Sequence, residues 1–308
     1  RYLLILLKTL YYINMITRHE AYPELAKALE MKNLFFKRED LHPYGSHKGR
    51  SIPVMIDTYM SQGISSFAIS SSGNAALAAA FYVEKLNQER QTPEEKIKLD
   101  ILVGQHISTK KLRKLEQFKN QYINVTMHDR PLQTLFTKTK DQTMRGLRQS
   151  TDDTSLIGYS ALAEELMEIP NLQAVFIGTS SGTTAQALAE YFESKGQKIE
   201  VHIVQTSSCH PISDAFVDDQ LLDEQSIADA IVDHASIRKD TVVKLLEKNG
   251  GSGWVVSNEQ IIAAQVITKK HTQVDISTNS ALSVAGLMQG VYTGKAWSGS
   301  VACIVCGD

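Results

Sequence analysis

Three short stretches carry side chains and backbone groups of types that do chemistry. The first is FFKREDLHPYGSHKGR, residues 35 to 50, in which Lys48 stands just after a strand-like run and a Gly-Ser turn, at the start of a helix. The positive end of the helix macrodipole and partial burial both favour the neutral amine of a lysine in that position. Such an amine is the nucleophile that forms a Schiff base with an aldehyde. The competing reading is an ordinary exposed lysine in a loop. The second stretch is SSSGNA, residues 70 to 75, at a strand-to-helix turn. Ser71, Ser72, Gly73, Asn74 and Ala75 expose backbone N–H groups at a helix start, which suits a carboxylate, and the Asn74 amide can donate to a phenolate oxygen. A Ser/Asn N-cap with a glycine for tight packing explains the same residues equally well. The third is GTSSGTT, residues 178 to 184. Gly178, Thr179, Ser180, Ser181, Gly182 and Thr183 form a nest suited to a phosphate, or else a tight turn between strand and helix. No lysine follows Gly182, so this is not a nucleoside-triphosphate loop, and the spacing is not that of a dinucleotide fingerprint.

Strands and helices must alternate to position these turns, and the pattern supplies them. Strands are expected at 33–39, 64–70, 98–103, 122–127, 174–178 and 200–205, with a final one in VACIVC (301–306). Helices are expected from Lys48, over 74–86, 109–118, 131–147, 159–168, 183–194, 257–270 and 280–292. A repeated β–α order predicts mainly parallel sheets covered by helices on both faces. The 308 residues suffice for two domains, and 43% hydrophobic with 21% charged residues gives a chain that buries a sizeable core. The balance of 32 Lys and Arg against 34 Asp and Glu, a net charge of −2, argues against a nucleic-acid or anionic-membrane partner. The apolar start RYLLILLKTLYYINMI is interrupted by Lys8, is too short to span a bilayer and lacks a small-residue cleavage site. It reads as a helix packing on the body or on a dimer partner. Three cysteines, Cys209, Cys303 and Cys306, are too few for a disulfide framework and point to a reducing, cytoplasmic setting. Cys303 and Cys306 form a C-x-x-C only on paper: three apart on a strand they face opposite ways, so no metal site is expected.

An activated lysine, a carboxylate nest and a phosphate nest are together the parts that hold pyridoxal 5'-phosphate and an amino acid. With these motifs the chain resembles the fold-type II pyridoxal-phosphate enzymes, the group of threonine synthase, serine/threonine dehydratase, cysteine synthase and the tryptophan synthase β subunit. KRED followed by GSHK is similar to that group's cofactor-lysine motif, SSSGNA to its Ser/Thr-rich Gly-Asn loop and GTSSGT to its glycine-rich phosphate loop. The resemblance implies Lys48 as the catalytic Schiff-base lysine, Asn74 beside the cofactor's ring oxygen and the 178–183 loop around its phosphate. It implies Ser71, Ser72, Gly73 and Ala75 around the substrate carboxylate, and Cys306, in the terminal IVCGD, beside the pyridine nitrogen, with Asp308 as the competitor for that place. It also implies two α/β domains with the cofactor in the cleft between them: a large one from 1–52 and 151–308 and a small inserted one over 53–150. A small amino-acid substrate and a homodimer follow from the same resemblance.

VQTSSCHPISDAF (204–216), SIADAI (226–231), WVVSNEQIIAAQ (254–265) and SALSVAGL (280–287) look most like threonine synthase. That implies a carbon–oxygen lyase converting O-phosphohomoserine and water to threonine and phosphate. The chain departs from threonine synthases at His47, at TSLIG, where no arginine precedes Gly158, and at the dehydratase-like CGD. A serine/threonine ammonia-lyase, or another β-elimination or replacement enzyme of the group, is therefore the alternative. A non-catalytic pyridoxal-phosphate-binding homologue is the alternative from another class.

Overall fold

The computed structural model describes residues 15–218 and 225–307. The expectation for the apolar start, and that for Asp308, fall outside those residues. In chain order come β1 (His19–Ala21), α1 (Pro23–Ala28) and β2 (Asn33–Arg38). Next are α2 (Lys48–Met60), β3 (Ser66–Ser70), α3 (Asn74–Gln88), β4 (Lys98–Gly104) and α4 (Thr109–Glu116). β5 (Ile123–His128), α5 (Pro131–Lys138), β6 (Arg145–Gly146) and α6 (Thr154–Ile157) follow. Then come α7 (Ser160–Met167), β7 (Leu172–Gly178), α8 (Thr183–Ser194), β8 (Glu200–Thr206) and α9 (Lys239–Asn249). The chain ends with β9 (Ser252–Val256), α10 (Asn258–Thr272), α11 (Thr278–Tyr292) and β10 (Ser300–Val305).

These elements form two compact α/β units, one made of the chain up to His42 and from Tyr159 onward, the other of Pro43–Gly158. The crossings lie at 42/43 and 158/159, not at 52/53 and 150/151. The reason is local: α2 is one continuous helix through residue 52, and it packs on α3 and α6 of the smaller unit. Lys48 therefore belongs to the smaller unit.

The smaller unit holds a parallel sheet in the order β5-β4-β3-β6. The helix expected over 131–147 ends at Lys138 instead. Beyond it the Asp141 carboxylate accepts from both the N–H and the hydroxyl of Thr143, at 3.1 and 2.9 Å, and Gln142 takes a positive φ of 62°. A short polar side chain that satisfies nearby backbone competes with the helix ladder. Arg145 and Gly146 then pair with Phe67 and Ala68 of β3.

The larger unit has six strands in the order β1-β2-β10-β7-β8-β9, all parallel except β1 on β2. Its central strand β10 is buried at every position, as an interior strand of a sheet covered on both faces must be. One face presents Phe36, Phe176, Val204, Val301, Cys303 and Val305 to Leu25 of α1, Ile261 of α10 and Leu282 of α11. Burial pushes the Cys303 thiol well above its ordinary range, and it donates to Ser283 O at 3.5 Å. The strand expected through Cys306 thus ends one residue earlier, with Cys303 inside it and Cys306 directly after it.

On the same face lies His202, with none of its surface exposed. Trp254 Nε1, which can only donate, is 3.3 Å from His202 Nδ1, so that nitrogen is the acceptor and Nε2 carries the proton to Glu200 Oε2 at 2.9 Å. Burial, the largest influence, lowers the His202 pKa below its ordinary 6.5 against the opposing Glu200 hydrogen bond. The unfolded chain thus binds a proton below about pH 6.5 that the folded chain refuses, and stability falls as pH drops through that window. One such group contributes at most about 1.4 kcal/mol per pH unit. Urea midpoints measured between neutral and mildly acidic pH should fall with pH, and a His202→Gln variant should show a flatter dependence. An unchanged slope in that variant would remove His202 as the source.

Candidate active site

In the smaller unit, Lys48 is the first residue of α2 and is half-buried. The turn before it needs Gly45 at φ +79°, and Ser46 Oγ accepts from Lys48 N at 3.3 Å. The first turn of α2 is held from outside by the 149–158 segment. Ser51 Oγ donates to Ser155 O at 2.7 Å, and Ser155 Oγ to Gln149 O at 3.0 Å. A Cβ on Gly158 would stand 2.4 Å from Arg50 O and 2.5 Å from Ser51 Cα, so only glycine permits this approach. The backbone that carries Lys48 is thereby fixed without using its amine.

β3 ends at Ser70, and Gly73 is the N-cap residue from which α3 starts at Asn74. Ser71, Ser72, Gly73, Asn74 and Ala75 are all half-buried, and Ser71 Oγ accepts from Gly73 N at 3.3 Å. The first turn of α3 contains no carboxylate to satisfy its own positive end, which leaves that end available to an anion. α2 leads through a short turn into β3 and packs on α3. This topology sets the first turns of both helices at the carboxyl-end edge of the small sheet, where open α/β sheets bind ligands.

In the larger unit, Gly178 closes β7 and Gly182 caps α8 at φ +82°, a left-handed conformation that favours glycine. The loop is braced at each residue. Thr179 N donates to Val204 O at 3.1 Å, and Gly182 N to Thr179 Oγ1 at 3.1 Å. The Gln205 carboxamide donates to Thr179 O at 3.3 Å and to Ser180 O at 3.0 Å. Its oxygen accepts from Ile212 N and Ser213 N. Ser181 Oγ and Thr183 Oγ1 lie 2.9 Å apart. The Ser180 hydroxyl accepts from Val232 N and Asp233 N and donates to Asp233 Oδ2 at 2.9 Å, so it serves the loop and not a ligand. What remains for an anion is backbone. The N–H groups of Ser180 and Ser181 have no acceptor among the described residues, and α8 has no acid in its first turn. That donor set fits a phosphate.

Cys306 follows β10, the neighbour of β7, and is buried. With Cys303 paired to Phe176, the ends of the two strands stand side by side, so Cys306 and the 178–183 loop share one sheet edge. Its thiol donates weakly to Ile304 O at 3.7 Å. Gly307 O accepts from Ser277 Oγ at 3.0 Å, and Gly307 N donates to Ser280 Oγ at 3.3 Å. Residue reading alone missed three supports: Gln205, Asp233 and the Ser277–Ser280 pair. Only Gln205 left a local signal, as a polar residue following Ile203 and Val204 near the end of β8. Among the described residues no cluster of His, Cys, Asp and Glu has metal-ligand geometry, and no helix is long and apolar enough to cross a membrane.

Compared with known proteins, residues 14–307 match the model of the pyridoxal-phosphate dependent enzyme family. The chain belongs to that family, and its cofactor is pyridoxal 5'-phosphate. It is 23% identical over 285 residues to a threonine synthase of Bacillus sp. (strain ULM1), covering 89% of this chain and 77% of that one. Among solved structures it resembles a pyridoxal 5'-phosphate-dependent aspartate racemase, with a TM-score of 0.77 and 19% identity over 95% of this chain and 90% of that one. It likewise resembles the processed threonine deaminase isoform 2 of Solanum lycopersicum, with a TM-score of 0.78 and 14% identity over 96% of this chain and 85% of that one. At these identities the solved structures establish the fold alone, that of the fold-type II enzymes.

Proposed function

We propose that the chain is a threonine-synthase-like carbon–oxygen lyase that converts O-phosphohomoserine and water to threonine and phosphate. The observation that carries the cofactor part of this reading is the pair of N–H groups, at Ser180 and Ser181, that find no acceptor among the described residues. The choice of reaction is supported by the threonine synthase likeness over most of the chain. Lys48 would hold the cofactor, the N–H groups of the 178–183 loop its phosphate, Asn74 its ring oxygen and Cys306 its ring nitrogen. When bound, the cofactor supplies an electron sink for the substrate's Cα. Lys48 Nζ would take the Cα proton and return one later, which needs a neutral amine on a fixed backbone. The Ser71–Ala75 turn would orient the substrate carboxylate through its backbone N–H groups. The Cys306 thiol would turn from Ile304 O to donate to the ring nitrogen. A neutral partner there moderates the sink, which suits elimination better than transamination or racemisation.

A serine/threonine ammonia-lyase is favoured instead by one observation. The segment laid over the phosphate loop carries Asp229 and Asp233, the latter bonded to Ser180. An acidic rim suits a substrate with no phosphate of its own. Incubating the yellow holoenzyme with O-phosphohomoserine, L-threonine and L-serine separates the readings. Free phosphate with threonine is the outcome expected; a 2-keto acid with ammonia would replace it by the lyase. Retained cofactor with neither product would make the chain a non-catalytic binder.

A further inference from the structure

The larger unit has a cavity of about 490 Å³, lined by Gln173, Lys198, Glu200, Ala296, Trp297 and Ser298. These residues precede or open β7, β8 and β10. The cavity thus lies at the amino-end edge of the sheet, opposite the edge that carries the 178–183 loop and Cys306. We propose that this cavity binds a free α-amino acid as its zwitterion, with the ammonium on Glu200, the carboxylate on Lys198 and the side chain against Trp297.

The two charges are arranged for such a ligand. Lys198 stands two residues before Glu200, which opens β8, and both line the cavity. Lys198 is exposed and makes no ion pair among the described residues. Glu200 is held in place by one oxygen only. Its Oε2 accepts from His202 Nε2 and from Trp297 Nε1, each at 2.9 Å, while Oε1 has no hydrogen bond among the described residues. The Lys295 ammonium acts on Glu200 through space only, without a hydrogen bond to it, so Oε1 can still accept from a ligand's ammonium group. The indole of Trp297 is a fixed wall. It packs edge-on against Phe176 and His202, with ring centroids at 5.6 and 5.7 Å, and its nitrogen is tied to Glu200. The neutral polar wall is already satisfied: Gln173 donates to Ser298 Oγ at 3.1 Å and accepts from Gly299 N at 2.8 Å. Charge at both ends of the ligand is therefore what the cavity selects, and its volume lies within the range of roughly 300–1,000 Å³ usual for small-molecule sites.

The test uses amino acids whose nitrogen is secondary and so stays out of the cofactor's carbonyl chemistry: L-proline and N-methyl-L-valine. Each is titrated into the holoenzyme by calorimetry and by tryptophan emission, with the cofactor's visible band recorded alongside. Trp254 and Trp297 are the chain's only tryptophans, and only Trp297 lines the cavity, so the Trp297→Phe variant isolates its share of the emission. The expected result is saturable binding of at least one probe with an unchanged visible band. Affinity should fall about tenfold or more in Lys198→Ala and in Glu200→Gln, and the emission change should vanish in Trp297→Phe. Because Lys198 is exposed, its variant keeps the fold. The proposal is overturned if neither probe gives a saturable signal in the wild type, or if Lys198→Ala binds as the wild type does.

Discussion

Lys48→Ala is expected to abolish the visible absorbance of bound cofactor and to lower kcat/KM on the substrate that the wild type turns over by about 10³-fold or more. The reasoning separates the amine from the backbone that carries it. Lys48 opens α2, and the turn is fixed by Gly158 against Arg50 and Ser51 and by the Ser51–Ser155 bond. None of these contacts involves the lysine side chain. Alanine is also a strong helix former, so the variant should unfold at the same temperature as the cofactor-free wild type. A melting curve beside the absorbance spectrum distinguishes loss of chemistry from loss of fold. A variant that keeps both the band and the turnover would remove Lys48 from the site.

The largest expected effect on stability lies in the larger unit. Lys37 of β2 is fully buried, and its ammonium meets the Glu165 carboxylate of α7, itself 9% exposed. The Lys37 amine also donates to Thr17 O at 2.6 Å, and Glu165 accepts from Thr17 N at 3.2 Å. The Thr17 hydroxyl donates to Glu39 at 2.5 Å. Desolvating both charges is costly, and the pair offsets that cost only while both partners are present. Glu165→Ala removes one partner of a buried charge pair and should destabilise by about 3–5 kcal/mol. Replacing both charges at once, in Lys37→Met with Glu165→Leu, should recover most of that loss. Urea unfolding of the three proteins checks it; equal stability of the single and double variants would show that the charges are not coupled.

Much of this arrangement was legible in residue order because it is local. The 178–183 loop is a run of glycine and hydroxyl residues between an apolar strand and a helix, and the fold places it between β7 and α8 as that pattern requires. Lys48 at a helix start and Asn74 at the next one follow from the same turn chemistry. The illegible parts depend on contacts distant along the chain. Nothing near Ser180 indicates that its hydroxyl is taken by Asp233, 53 residues on. Nothing near Gly158 tells that it touches Arg50. β6 was hidden because two residues carry no period, and Asp141 ends a helix that hydrophobic spacing alone would continue. Lys37 read as part of a motif; its burial against Glu165 came only with the packing of α7 on the sheet.

The most direct measurement is chemical. Reduce the holoenzyme with borohydride, digest it and locate the cofactor by mass spectrometry. The account predicts the reduced cofactor on the peptide containing Lys48 and on no other lysine. Attachment at a different lysine, or a fully reconstituted protein that yields no modified peptide, would contradict it.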